Sequence, residues 1–160
     1  MSKSLNRVKA AMTALGLPDT ILETGLAKTA QMAADQVGCH VDQIGKSIIF
    51  QGASTGDIYL FLTAGGNSVD SDKAARVAGE SMIKADATAI RAKTGFAIGG
   101  VSPLGHLTPS IPFMDPRLLE FENIWVAAGT PNHVFSVNPD QLSKIISAQV
   151  IHFTQQYKIM

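Results

Sequence analysis

Four stretches of this 160-residue chain hold residue types that could do chemistry. Gly45-Lys46-Ser47 has the ending of a phosphate-binding P-loop, and Gly52-Ala53-Ser54-Thr55-Gly56 fits the G-x-S-x-G pattern of a serine nucleophile. Cys39 stands beside His40, a thiol next to an imidazole. "TGFAIGGVSPLGH", Thr94 to His106, packs four glycines and one proline into thirteen residues.

The surrounding residues decide between these. A P-loop is G-x-x-x-x-G-K-[ST], set after a strand and before a helix. Counting back from Gly45 puts His40 where the first glycine belongs, and the strand former "SIIF" follows, so no helix N-terminus is available to hold phosphates. A nucleophile elbow likewise needs a strand, a tight turn and a helix. "GASTG" lies between two apolar, β-branched runs and reads as a hairpin turn. His106, His133 and His152 leave a serine hydrolase using Ser54 open as an alternative. The histidines at 40, 106, 133 and 152 show no metal-ligand spacing, and Cys39 has no second cysteine to pair with. No metal and no cofactor is therefore expected. Cys39 follows a helix-ending glycine, where a cysteine serves as a small buried hydrophobe.

The loop from 94 to 106 carries more. Glycine costs conformational entropy on folding, so such a cluster serves positive φ or close backbone approach. Pro103 removes one N–H and stiffens the chain. The result is a rigid loop that offers main-chain donors and acceptors to a small polar group such as an ester, amine or hydroxyl.

The elements that must position these groups follow from periodicity and punctuation. "SLNRVKAAMTALG" reads as a helix capped by Ser4, with Leu5, Val8, Met12 and Leu15 on one face and Gly16 as its stop. "TILET" is extended. "TAQMAADQVG" is a second helix, with Thr29 as N-cap and Gly38 as stop. "KSIIFQ" and "DIYLFLTA" are strands. "AGGNS" is a turn, and helices follow from Asp70 or Ser71 and from Asp86. Beyond the glycine-rich loop come a strand ("SIPFM"), a helical turn ("DPRLLEF"), strands at "NIWVAA" and "HVFSV", a helix at "NPDQLSKII" and a last strand at "AQVIHF". Strands occur both in hairpins and separated by helices, so the sheet is expected to be mixed rather than doubly wound. The expected fold is α/β in the α+β sense: one domain over residues 1–160, with a mixed, barrel-like sheet flanked by helices.

Composition bounds the function. The chain is 46% hydrophobic and 16% charged, and 13 Lys and Arg balance 13 Asp and Glu. Zero net charge argues against a broad phosphate-contact surface, while permitting a nucleic acid touched at its tip. No eighteen-residue apolar run occurs, so no membrane partner is expected. The polar start lacks a signal-peptide core, and with one cysteine a reducing cytoplasm is the simplest setting.

Three segments give the chain a family resemblance from about Thr29 to Val150. "TAQMAADQVGCHVDQIGKSIIF" supplies a threonine and paired alanines before a lysine that opens a strand; "GGNSVDSDKAARVAG" supplies Gly, Val-Asp and Lys at the family's spacing; Gly100, Pro103 and Gly105 supply G-x-x-P-x-G. The chain resembles the YbaK/EbsC family of trans-acting aminoacyl-tRNA deacylases, which is similar to the editing domain of bacterial prolyl-tRNA synthetase. The resemblance implies hydrolysis of the ester between an amino acid and the 3′-terminal adenosine of tRNA, assisted by the substrate itself and without a metal. It implies Lys46, Gly100, Ser102, Pro103 and Gly105 as the catalytic set, with Lys46 on phosphate. Thr29, Phe96, Ile98, Val101, Leu104, His106 and Gly129 would surround the substrate. The partners implied are the 3′ end of aminoacyl-tRNA and, as a second candidate, an aminoacyl-tRNA synthetase. A non-catalytic tRNA- or synthetase-binding module is the other alternative. One departure stands out: family members often carry a basic residue and a glycine just after Gly129, where this chain has Thr130, Pro131, Asn132 and His133.

Overall fold

A computed structural model describes residues 2–155. Eight strands form one mixed sheet, and five α-helices and two 3₁₀ turns accompany it among the described residues. Helix α1 (Lys3–Ala14) buries Leu5, Val8 and Met12. Its N-cap is Ser2, whose hydroxyl accepts from the Leu5 N–H, rather than Ser4. Leu15, expected on the inward face, lies past the last helical turn and is 45% exposed. A two-residue strand β1 (Leu22–Glu23) precedes helix α2 (Ala30–Val37), which Thr29 caps and Gly38 ends in the left-handed conformation. A 3₁₀ turn (Val41–Gln43) leads into the long strand β2 (Ile44–Gly52).

Strand β3 (Ile58–Ala64) returns antiparallel to β2 through the "GASTG" turn. Helix α3 (Ser71–Ala78), strand β4 (Met82–Lys84) and helix α4 (Ala87–Thr94) follow; β4 is too short and too exposed to have given a strand signal in the sequence. The glycine-rich loop then leads to β5 (Ile111–Met114), a 3₁₀ turn (Pro116–Glu120), β6 (Ile124–Ala127), β7 (His133–Val137), helix α5 (Pro139–Ile145) and β8 (Gln149–Val150). The strand order is β1-β7-β6-β2-β3-β5-β8, with β4 added beside β2. β1 and β8 do not pair, so the barrel stays open.

Side-chain alternation gives the sheet two cores. Ile49, Leu60 and Leu62 face a large one with α1, Phe96, Val126 and Leu142. Phe61, Phe113 and Phe153 face a smaller aromatic one, where Phe61 stacks on Phe113 with 5.2 Å between centroids.

One feature of this topology makes room for a site. β2 is paired with β3 along one edge from Gly45 to Gln51. Along its other edge β6 covers only Ile44 and Gly45, and β4 covers only Phe50 to Gly52. Lys46 to Ile49 have no strand beside them there. The Gly52 N–H donates to the Asp57 carbonyl at 2.9 Å, which fixes the antiparallel alternation. By that alternation the main-chain groups of Ser47 and Ile49 point to the open edge.

Candidate functional site

A cavity of about 340 Å³ lies at this gap. Lys46, Ser47 and Ile48 of β2, Trp125 and Ala127 of β6, Thr29, Ala30 and Ala33 at the start of α2, Ile98, Gly99 and Val101 of the glycine-rich loop, and Thr130, Pro131 and His133 of the β6–β7 turn all line it. The small side chains of α2 face the cavity and leave it open. The register pairs Ile44 with Trp125, so Lys46, Ile48, Trp125 and Ala127 share one face of the sheet.

Lys46 is one of two lysines that line this cavity, the other being Lys28 before α2. The Lys46 Nζ donates to the Asn67 carbonyl at 2.6 Å. Asn67 is held in turn by its side-chain amide, which donates to Asp115 Oδ2 at 2.9 Å, and Asp115 is 2% exposed. The same Asp115 oxygen accepts from the Ala64 N–H. Asp42 accepts from the Gly66 N–H at 2.8 Å and from Arg117 Nε at 2.9 Å. Gly65 and Gly66 are required by this packing: a Cβ on Gly65 would lie 2.2 Å from the Val41 carbonyl oxygen, and one on Gly66 2.4 Å from Asp42 Oδ1. Burial pulls the Lys46 ammonium below the ordinary lysine range, and the Asp115 and Asp42 carboxylates oppose that pull. Arg117 in turn holds Asp42 below the ordinary carboxylate value despite its burial.

The glycine-rich loop divides its residues between the cavity and the interior. Ile98, 58% exposed, and Gly99 line the cavity, and Val101, a buried member of the large core, borders it too. Among the described residues the N–H groups of Gly99 and Val101 have no hydrogen-bond partner. The Gly100 N–H is used inside the loop, donating to Ala97 O at 3.0 Å. Gly100 itself packs against the β6–β7 turn, where a Cβ would stand 2.7 Å from Thr130 Cα. Phe96 and Leu104 belong to the large core, not to the cavity. Phe96 lies under the Arg7 guanidinium, 5.0 Å from its ring centroid. Ser102 is fully buried, and its hydroxyl accepts from the Leu104 N–H. Gly105, with φ +81°, faces Arg7, and Gly129, with φ +96°, sits on the first turn of α1 near the Ser4 carbonyl. Pro103 and His106 line a second cavity of about 230 Å³ with Leu60, Pro109, Ser110, Pro112 and Ile146. His106 Nε2 and the Ser102 carbonyl are 2.6 Å apart, so that nitrogen donates and Nδ1 is left as a buried acceptor without a partner. Burial holds the imidazole below the usual histidine range.

The other candidates fall elsewhere. Ser54 sits in a turn clamped by Glu80, whose carboxylate accepts from the N–H groups of Ser54 and Thr55, from the Thr55 hydroxyl and from the Tyr59 hydroxyl at 2.6 Å. These donors bring the Glu80 carboxyl down to about 2, and the carboxylate pushes Tyr59 up to about 12. "GASTG" is thus an intramolecular carboxylate cradle. Burial raises the Cys39 thiol, the opposite of an activated nucleophile. Among the described residues no three His, Cys, Asp or Glu side chains group together to hold a metal ion, and no helix is long and apolar enough to cross a membrane.

The family model for the aminoacyl-tRNA editing domain matches residues 24–145, the span that builds the cavity. The chain belongs to this family. A solved structure of a candidate trans-editing enzyme for prolyl tRNA synthetase is 39% identical, with a TM-score of 0.91 over 98% of this chain and 99% of the other. A chain solved in work on grafting epitopes onto scaffold proteins is 40% identical, with a TM-score of 0.91 over 98% of this chain and all of that one. An uncharacterised protein of Bacillus subtilis (strain 168), YwhH, is 30% identical over 131 residues, 82% of each chain. Of the residues expected at the site from sequence, the editing domain brings Thr29, Lys46, Ile98 and Val101 to one cavity. It adds Ser47, Trp125, Thr130 and His133, which the sequence had not singled out as a group. The Ser47 hydroxyl is buried without a partner, and Thr130 Oγ1 lies 2.6 Å from His133 Nδ1.

Proposed function

We propose that this editing domain acts in trans to hydrolyse the ester between an amino acid and the 3′-terminal adenosine of mischarged tRNA. The observation that carries this reading is Lys46. It is a half-buried cation held by the Asn67 carbonyl, on the wall of a cavity that is also lined by Gly99 and Val101, whose N–H groups have no partner among the described residues. A compact ammonium in that position suits a phosphate oxygen next to the terminal nucleotide. Main-chain donors in the lining of the same cavity suit the carbonyl oxygen of the ester, where negative charge develops during attack.

In this reading a water oxygen adds to the ester carbonyl carbon, assisted by a neighbouring ribose hydroxyl of the substrate. The bond from that carbon to the ribose oxygen breaks, the ribose oxygen takes a proton, and the amino acid leaves as its carboxylate. Lys46 anchors the nucleotide, and the loop backbone orients the carbonyl. No step uses a protein nucleophile, in keeping with the clamped Ser54 turn and the raised Cys39 thiol, and none uses a metal.

The test is deacylation of a panel of tRNAs charged with alanine, serine, threonine or cysteine. The likeness to a candidate trans-editing enzyme for prolyl tRNA synthetase makes tRNA for proline the first acceptor to try. Turnover of at least one mischarged species, undiminished by chelator, is expected. Binding of tRNA with no hydrolysis across the panel would leave a non-catalytic module in its place.

A further inference from the structure

Trp125 is the only tryptophan in the chain, and it lies on the cavity wall. On β6 it is out of phase with Ile124 and Val126, which are buried in the large core. It therefore stands on the other face of the sheet, the face of Ile44 and Lys46. The ring is half-buried, and its indole N–H has no hydrogen-bond partner among the described residues. It also pairs with no other aromatic ring there, although four phenylalanines and a tyrosine pair among themselves in the small core and around it. A tryptophan in a protein interior ordinarily gives its N–H a partner and packs its faces. This one leaves its N–H without a partner among the described residues and borders the cavity.

Its position relative to Lys46 is informative. Ile44 pairs with Trp125 and Gly45 with Val126, so Lys46 comes level with Ala127. Trp125 and Lys46 are diagonal neighbours across two adjacent strands, a relation within reach of long side chains. A flat apolar ring diagonal to a compact cation matches a nucleotide: the ring takes the base and the cation takes the phosphate. Zero net charge adds to the argument. A protein without a broad basic surface gains little from counterion release and needs another source of affinity for a nucleic-acid end.

We infer that Trp125 is the platform on which the adenine ring of the tRNA 3′ terminus stacks. The inference rests on the deacylase reading above and names the group that fixes the nucleotide in that site. Because the base is common to every aminoacyl-tRNA, Trp125 serves all aminoacyl groups alike.

The single tryptophan supplies its own reporter. Adenosine 5′-monophosphate is expected to quench the intrinsic fluorescence of the wild-type protein saturably, while ribose 5-phosphate, which lacks the base, leaves it unchanged. In deacylation below saturation, Trp125→Leu should lower kcat/KM by about fivefold to a hundredfold, the range of one lost base–aromatic stack. The loss should sit in KM, be equal across aminoacyl groups and be largely restored in Trp125→Phe. Equal quenching by ribose 5-phosphate would overturn the inference. So would a folded Trp125→Leu protein with wild-type kcat/KM, or a loss confined to one aminoacyl group, which would place the ring against the amino acid. The quenching arm uses the wild-type protein and holds if Trp125→Leu fails to fold. Failure of the deacylase reading looks different: the wild-type protein then hydrolyses nothing.

Discussion

The Lys46 ammonium is held 2.6 Å from the main-chain carbonyl of Asn67, in a turn that Asp42 and Asp115 pin from two sides. A carbonyl takes one of the three ammonium hydrogens and leaves two for a ligand. The lysine is therefore aimed before substrate arrives, and little of its side-chain entropy remains to be lost on binding. Lys46→Ala should lower deacylation about tenfold to more than a hundredfold, the range of a lost charge-assisted hydrogen bond. Lys46→Arg should recover only part, because a planar fork does not fit where a point charge is held. Single-turnover rates with tRNA below saturation check both, and wild-type rates in Lys46→Ala would remove Lys46 from the site.

Gly100 and Gly105 carry the same motif but different constraints. An alanine at 100 would drive its Cβ into the Thr130 main chain, where nothing flexible can yield. Both loops that border the cavity would shift, so Gly100→Ala should lose activity and stability together. At 105 the space beside Arg7 is sufficient, and only the positive φ is costly. Gly105→Ala should cost about 1–3 kcal/mol of stability while the folded protein keeps its specific activity. Melting curves and single-turnover rates on the same samples separate the two.

The "GASTG" turn gives a prediction in the opposite direction. Ser54 contributes its N–H to Glu80, and its side chain does no chemistry in this reading. Ser54→Ala should deacylate at the wild-type rate within a few-fold. Glu80→Gln should lower the melting temperature without touching the rate. Because the Glu80 carboxyl is brought down to about 2, its contribution is complete above the ordinary carboxylate pKa near 4.5 and is lost as the pH falls toward 2. Thermal melts of wild type and Glu80→Gln between pH 2 and 6 should converge at the acid end.

Much of the fold was legible because local signals agreed with the tertiary outcome. Thr29 and Gly38 bracket α2 as capping residues do, and β-branched runs became β2 and β3. Where the sequence fell short, the deciding information was non-local. Phe96, Val101 and Leu104 are as apolar as Ile98, and no periodicity in a glycine-rich loop says which of the four turn inward. The role of Asn67 lies in its carbonyl, which every residue has. Ser47 and Trp125 border the cavity because β6 and β4 leave part of one β2 edge uncovered, and strand pairing of that kind is not written in either strand. Trp125 alone left a trace: it breaks phase with Ile124 and Val126, the mark of a side chain on the far face.

His106 yields the last prediction, through pH. Its Nε2 donates to the Ser102 carbonyl, and its buried Nδ1 has nothing to donate to, so the neutral ring is the one the fold accommodates. Burial is the main cause of its lowered pKa, and the Arg7 charge nearby adds to it. The sign follows from linkage. The unfolded chain protonates this histidine near its ordinary value of 6.5, and the folded chain does so only at lower pH. Stability from the neutral ring is therefore complete above about pH 6.5 and falls as the pH drops below it. His106→Asn can keep a donor for the Ser102 carbonyl but has no proton to take up. Its absolute stability will differ because the second cavity is repacked. The readout is therefore the slope: melting temperature between pH 5 and 8 should fall toward acid in the wild type and lose that component in the variant. Equal slopes in both proteins would show that Nδ1 finds a partner in solution. The deacylation rate per folded molecule should respond little to the substitution, since His106 lines the second cavity while Ile98, Gly99 and Val101 line the cavity of Lys46.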